Sequence, residues 1–408
     1  MKTGNAMILE RQEHTSPAES VDEKLPIVCE GSVRRSKRKK EIARANHELE
    51  VRLFGKPFLR FANAQSLRYL VQVGFLLLTL WIGFEFVQFV NWAEAGGPGE
   101  PIARPQGVEA FLPISALISL KYWILTGVVN NIHPAGLVIF LSIVGISLVV
   151  RKAFCSWICP VGFVSESLAL VGEKVFGRNL RVPRWLDYPM RSLKYLLLFF
   201  FLYTIFWGMN EVALKVFIYS PYNRVADIKM LKFFQGISPT ALWTIFILAV
   251  LSIFVKHFWC RYLCPYGALL GLVGFLSPTK VTRNIPSCID CELCTKACPA
   301  QIAVHKAKTV QSDECTSCLS CVDACPVADT LYLSVKKTRP LSPVRAAWAI
   351  VLILPLFMFL AKVTGNWYNA VSSQEYIHRV QEIHSPKYEH NRGQVPVEQD
   401  QFHQSGGD

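Results

Sequence analysis

Residues 288–326 constrain this chain more than any other stretch, reading C-I-D-C-E-L-C-T-K-A-C-P and then, after a short spacer, C-T-S-C-L-S-C-V-D-A-C-P. Eight of the thirteen cysteines in the 408-residue sequence lie here. Each half follows C-x2-C-x2-C-x3-C-P, in which three close thiolates hold three corners of a cubane while the distant fourth ligates the other cubane. The spacing therefore assigns Cys288, Cys291, Cys294 and Cys325 to one [4Fe-4S] cluster, and Cys315, Cys318, Cys321 and Cys298 to a second. The crossing staples the two halves into one fold, and Pro299 and Pro326 turn the chain away after the fourth ligand. Zinc sites close with four ligands in paired C-x2-C units, a pattern that two runs of four with this ending do not match.

Cluster-bound thiolates must stay reduced, so the module belongs in a reducing compartment and the thirteen cysteines do not read as a disulfide framework. The remainder of the chain is too apolar for a string of soluble domains. A hydrophobic content of 51% and a mean hydropathy of +0.29 indicate a membrane protein whose first partner is the lipid bilayer. Its net charge of +13 does not imply nucleic acid, because Lys and Arg gather beside apolar runs, where they orient spans and meet anionic lipid.

Residues 1–66 form a basic N-terminal region without a long apolar run, hence without a signal peptide. The block GSVRRSKRKK at 31–40, with Arg44, Arg52, Lys56 and Arg60, is expected to hold it in the cytoplasm. Cys29 lies in this polar stretch without a partner and is read as incidental. A first span is expected over 67–90, running outward, with Glu85 near its outer end meeting interfacial water or serving a proton or quinol site. Residues 111–129 are interrupted by Pro113 and Lys121 and read as an interfacial or re-entrant helix in which Lys121 avoids lipid. Further spans are expected over 135–150 (inward), 193–208 (outward) and 241–255 (inward), the segment 209–240 lying outside. The resulting fold class is an α-helical membrane bundle of about five transmembrane helices with an inserted α+β bacterial-type 2[4Fe-4S] ferredoxin domain. A four-helix core covers 67–276, the ferredoxin domain 277–340, a fifth helix kinked at Pro355 341–363, and a periplasmic tail 364–408. His378, His384, His390 and His403 in that tail are too irregularly spaced to read as a metal site, and a solvated or partner-binding tail is expected.

A second set of cysteines repeats. Phe154-Cys155-Ser156-Trp157-Ile158-Cys159-Pro160 follows Arg151-Lys152, and Phe258-Trp259-Cys260-Arg261-Tyr262-Leu263-Cys264-Pro265 follows Lys256-His257. Each C-x3-C-P motif ends an inward span and is followed by a glycine, Gly162 or Gly267, which suggests duplicated halves. If the halves pack about a pseudo-twofold axis, Cys155, Cys159, Cys260 and Cys264 converge at the cytoplasmic side. They then form a third cluster site, a soft-metal site or a pair of redox dithiols, against the plainer reading of four small core residues. His257 is a further candidate ligand or proton acceptor. Trp157, Trp259 and Tyr262 read as interfacial aromatics.

With F-C-S-W-I-C-P-V-G, W-C-R-Y-L-C-P-Y-G and the doubled run in this order, the chain resembles the membrane-bound polyferredoxins of the NapH, NosR and CcoG type over about residues 67–362. The resemblance implies a bacterial inner membrane and electron transfer between quinol or a cytoplasmic donor and a respiratory or periplasmic acceptor system, through redox partner proteins. A NapH-like core fits best, since the chain has no room before its first span for the flavin-bearing domain of NosR and too short a tail for the added sandwich domain of CcoG. No nucleotide-binding glycine fingerprint, nucleophile elbow or zincin helix is present, so an electron carrier is favoured over a catalytic oxidoreductase. Two other readings stay open: a copper reductase or assembly factor using the C-x3-C-P thiols, and a cluster-based redox sensor.

Overall fold

A computed structural model of the chain describes residues 49–53, 56–61, 64–177, 179–180, 182–327, 329–336 and 339–389. The basic block at 31–40, Cys29, His390 and His403 lie outside the described residues. The strands β1 (Leu49–Leu53) and β2 (Lys56–Phe61) pair antiparallel ahead of a mostly helical body. Its helices are α1 (Ala64–Glu94), α2 (Pro113–Thr126), α3 (Pro134–Val150), α4 (Phe154–Trp157), α5 (Pro160–Phe176) and α6 (Arg184–Phe206), followed by α7 (Glu211–Ile218), α8 (Pro221–Arg224), α9 (Ala226–Gln235), α10 (Pro239–Phe254) and α11 (Pro265–Val273). The cysteine-rich module carries β3 (Thr279–Arg283), α12 (Leu293–Ala297), α13 (Ser320–Asp323), β4 (Leu331–Val335) and β5 (Arg339–Pro340), after which come α14 (Pro343–Val363) and α15 (Ser373–Gln381).

The helices start where local chemistry tells them to. Ser238 and Ser342 cap α10 and α14 by accepting from the N–H of Ala241 and Arg345, and each is followed by a proline at the first helical position, where no donor is lost. Five helices run in alternate directions between a cysteine end and an opposite end. The first turn of α1 meets the module through Gln65, whereas Phe89 near its far end packs edge-on against Tyr376 of α15 at 5.4 Å. Helix α3 runs back, and α6, α10 and α14 follow in turn. Three of the five, Ala64–Glu94, Trp185–Phe206 and Pro343–Val363, are long and apolar enough to cross a membrane. A fourth crossing arises if α9 and α10, bent by 82°, are taken as one span, while Pro134–Val150 is a shorter apolar helix.

That short helix is the hub. Ala135, Leu137, Phe140, Ile143, Ile146 and Val150 of α3 are all buried, as expected for a helix that is apolar on every side. Helix α14 packs along it, with Phe357 and Ile353 facing Gly145. The outer helices do the reverse and turn apolar side chains outward: Leu77, Leu80 and Phe84 on α1, Leu196, Phe199 and Phe200 on α6, Leu352, Leu356 and Phe359 on α14. Such a surface would drive aggregation in water and is the ordinary exterior of a lipid-facing bundle.

Several local expectations are revised. Lys121 does avoid lipid, but by turning into the protein, where its ammonium donates to the carbonyls of Ile205, Phe206 and Met209 and caps the end of α6. Glu85 accepts from the Trp81 indole at 3.0 Å. Residues 209–240, read as an external segment, fold into α7, α8, α9 and the start of α10. The tail as far as Glu389 is not a solvated appendage: Tyr376, Arg379, Val380 and Tyr388 are buried against the bundle, because α15 closes over the end of α1. Of its histidines, His378 and His384 remain exposed.

Beneath α15 lies a buried charge network. Arg104 donates to Asp227 at 2.7 Å and to Glu109 at 2.9 Å, Glu109 accepts from the Gly136 N–H at 2.8 Å, and His133 Nδ1 stands 3.3 Å from Glu109. Both carboxylates are inaccessible to solvent, so they depend on Arg104 for neutralisation. Arg104→Met should therefore destabilise the protein by at least about 3–5 kcal/mol, by stranding two buried charges. Thermal unfolding of the purified protein in detergent measures it; an unchanged midpoint would contradict this account of the charge network.

Candidate functional site

The cysteine-rich module is built on a short antiparallel pair, β3 with β4, in register from Thr279↔Val335 to Arg283↔Leu331, extended by β5. Between the strands the chain wraps twice. In the first half Asp290 and Glu292 take positive φ, 48° and 57°, and in the second half Ser317 and Leu319 at the matching positions take 49° and 61°. Alternation of this kind curls the backbone into a concave nest whose N–H groups face inward, suited to an anionic group. Two pockets result. One is lined by Cys288, Cys291, Cys294 and Cys325, the other by Cys315, Cys318, Cys321 and Cys298, so each gathers three cysteines of one half with the fourth of the other.

The surroundings suit thiolates that hold a group out of water. Val281, Val304, Val310 and Leu319 line the second pocket, and burial pushes the Cys298 thiol up to about 12 while backbone N–H groups of Ile302 and Ala300 act the other way. Burial likewise raises Cys325, opposed by the N–H of Val327. The pockets differ in what they face. Ile289 and Glu292, lining the first, are exposed, so this distal pocket looks toward solution, whereas the second abuts the helical bundle.

The bundle grips the module through the segment that joins its halves. Arg151, buried at the end of α3, donates to the carbonyls of Val310 at 2.5 Å and Ser312 at 2.7 Å. Lys194 of α6 is hydrogen-bonded to Glu314, and Tyr195 to Asp313. Ser156 donates to Thr316 O at 2.7 Å, the Trp157 indole to Ser317 O at 3.1 Å, and Gln65 to Cys318 O at 2.7 Å. Trp157 is thus no interfacial aromatic: it is fully buried and fixes the backbone beside a cysteine. Tyr262 is also buried, donating to Asp187 at 2.7 Å alongside Arg261.

The two C-x3-C-P motifs fold alike. In each, the N–H of the second cysteine bonds five residues back, Cys159 to Phe154 O and Cys264 to Trp259 O, both at 3.0 Å. This wide turn leads into α5 or α11, with proline at the first position. The glycine after it then offers its N–H to the second sulfur, Gly267 to Cys264 Sγ at 3.3 Å and Gly162 to Cys159. The four sulfurs are electrostatic neighbours, Cys260 interacting with Cys155, Cys159 and Cys264. Cys155 and Cys260 line one pocket together with Lys152, His257 and, from the module, Pro299, Ala300, Glu314 and Thr316. Those last four residues also line the module's inner pocket. Among the described residues no three His, Cys, Asp or Glu side chains close on a single-ion site.

Close helix contact holds this pocket in shape. A Cβ on Gly162 would lie 2.2 Å from Cys155 O, and one on Gly172 only 1.9 Å from Ile253 O, where α5 presses on α10. Glu166 of α5 accepts a two-pronged pair from Arg68 of α1 at 2.5 and 2.7 Å and a third bond from Gln72. Sequence reasoning missed Lys152, Arg68, Glu166 and Glu314 as parts of this region. Only Lys152 carried a signal, its position three residues before Cys155.

Family models match the chain as a 4Fe-4S binding domain over residues 132–183 and 237–284, segments that each contain one C-x3-C-P motif, and as a 4Fe-4S dicluster domain over residues 280–326. The chain is 41% identical over 326 residues to the protein named "Putative electron transport protein YccM" of Escherichia coli K12, covering 78% of this chain and 91% of that one. It is 26% identical over 224 residues to the ferredoxin-type protein NapH of Haemophilus influenzae, covering 52% and 71%. It is also 26% identical over 170 residues to the regulatory protein NosR of Pseudomonas aeruginosa, spanning only 22% of that longer protein. No solved structure matches the chain.

The geometry makes Gly162 indispensable and Gly74, where an added methyl group would meet nothing within 4 Å, dispensable. Gly162→Ala should lower accumulation or iron content of the purified protein severalfold, and Gly74→Ala should leave both unchanged. Equal tolerance of the two substitutions would remove the tight Gly162–Cys155 contact from the account.

Proposed function

The chain belongs to the family of membrane-associated polyferredoxin-type electron-transport proteins, and we propose that it relays single electrons through three cysteine-lined sites stacked at one end of its helical bundle. The relay begins at the distal pocket of Cys288, Cys291, Cys294 and Cys325, which takes one [4Fe-4S] cluster. The pocket of Cys315, Cys318, Cys321 and Cys298 takes a second, and Cys155, Cys159, Cys260 and Cys264 hold a third. When bound, the clusters supply one-electron exchange; the protein supplies spacing, burial and charge. One observation carries the reading: the C-x3-C-P pocket and the inner module pocket share Pro299, Ala300, Glu314 and Thr316, so groups held in them are separated by a single layer of residues. A cluster suits the third site better than one soft ion, since its thiolates each hold a separate iron and need not close on one point.

The domains keep the boundaries given above, and the five traversing helices are read as five spans. The thiolates need a reducing compartment, which puts the cysteine end on the cytoplasmic side of a bacterial inner membrane and the end carrying α15 on the periplasmic side. The exposed rim of the distal pocket then faces soluble redox partners, and quinol is an alternative donor within the bilayer.

Chemical analysis of anaerobically purified protein should find about twelve irons per chain, eight of them in the module, with interacting [4Fe-4S] signals by EPR on reduction. Cys291→Ser and Cys318→Ser should each weaken a different module cluster, and Cys155→Ser should remove a third signal while leaving eight irons. Four irons, or zinc in their place, would defeat the relay. For orientation, a reporter fused after Asp408 should be active only outside the cytoplasm and one inserted near Lys306 only inside; the reverse pattern would overturn the five-span arrangement.

A further inference from the structure

Lys152 is buried, with 3% of its surface accessible, yet its ammonium forms no hydrogen bond or ion pair with the described residues. A buried ammonium has three donors and no acceptor, and without an anionic partner it is costly to keep charged. Its electrostatic partners are Cys155, then Glu314, Cys264 and Cys260, and together with Cys155, Cys260 and Glu314 it lines the C-x3-C-P pocket. The nearby carboxylate, Glu314, is engaged by Lys194, and Asp313 by Tyr195. The duplicated half also brings cations to this pocket, but both are paired, Lys256 with Glu173 at 3.0 Å and Arg261 with Asp187 at 2.9 Å. Its residue three positions before Cys260 is His257, which lines the same pocket.

We propose that Lys152 is the fixed counter-charge of the Cys155, Cys159, Cys260 and Cys264 site, holding an anionic iron-sulfur group there and raising its reduction potential. The proposal rests on the reading of that site as the third cluster site. Four thiolates around a [4Fe-4S] core leave the assembly negatively charged, and gaining an electron makes it more so. A cation held beside it in a dry pocket stabilises the reduced form more than the oxidised one. Transfer from the inner module pocket then moves one electron, oxidising one cluster and reducing the other, with no bond made or broken. The lysine biases that exchange toward the bundle.

The test is a potentiometric EPR titration of full-length wild-type, Lys152→Met and Lys152→Arg proteins in detergent, with iron counted in each. Lys152→Met is expected to weaken reduction of the third site at least tenfold, about 59 mV for one electron, with the module signals moved much less and Lys152→Arg restoring most of the loss. Loss of only the third site's iron in Lys152→Met, with retention in Lys152→Arg, also supports a requirement for charge. An unchanged potential with twelve irons present overturns the role of Lys152 alone, as does loss of the third site's iron in both variants. A wild-type chain with only eight irons overturns the third cluster site as well, so the two failures are distinguishable.

Discussion

The joint between Arg151 and the carbonyls of Val310 and Ser312 is the interaction on which the arrangement depends. A cysteine module tethered only at its ends would be free to swing, and electron exchange between its inner pocket and the bundle would vary with every excursion. Arg151 prevents this from inside the structure. Its guanidinium is buried, its side chain leaves a backbone held at φ 53°, and its two donor edges meet the segment joining the halves of the module. Just beyond, Tyr195, Lys194, Ser156 and Trp157 engage Asp313, Glu314, Thr316 and Ser317 in turn. The bundle thus holds the module by main-chain carbonyls and two acidic side chains, contacts that fix position independently of whatever the pockets contain.

The bundle itself is arranged around a helix too short to be an independent span. Helix α3 connects the buried charge network at one end with Arg151 and Lys152 at the other, and most of its surface is covered by protein. Because lipid barely touches it, it is free to be short and to begin and end on polar groups. The longer helices, whose outward faces are apolar, supply the membrane contact.

Much of this was legible in the sequence, for reasons that can be named. The ferredoxin-type spacing is rigid because a cubane allows few chain paths, so the partition of eight cysteines into two sets could be read directly. The duplication of C-x3-C-P was legible because proline and glycine recur at fixed offsets from the cysteines. Span counting was less secure: α3 and α10 have spans' composition without spans' length, α3 being enclosed by its neighbours and α10 reaching a span's length only with the bent α9 before it. The roles of Trp157 and Tyr262 were misread because an aromatic next to a membrane end has the same sequence context whether it faces lipid or a carbonyl. Lys121 was expected to avoid lipid, but nothing in its own stretch named the α6 carbonyls that receive it. The tail was misjudged for a similar reason, its polar composition concealing the alternation that buries Tyr376, Arg379 and Val380 on one face of α15.

That tail has a consequence for how the protein is made. Arg224 is paired with Glu375 across 151 residues of sequence, and Phe89 with Tyr376 across a still longer separation. Neither contact can form until α14 and the segment behind it have been made. Through most of synthesis the end of the bundle opposite the cysteines therefore lacks the segment that covers it. Helix α15 acts as a completion latch: a ribosome that stops before it leaves a bundle with every cysteine in place and its opposite end still open.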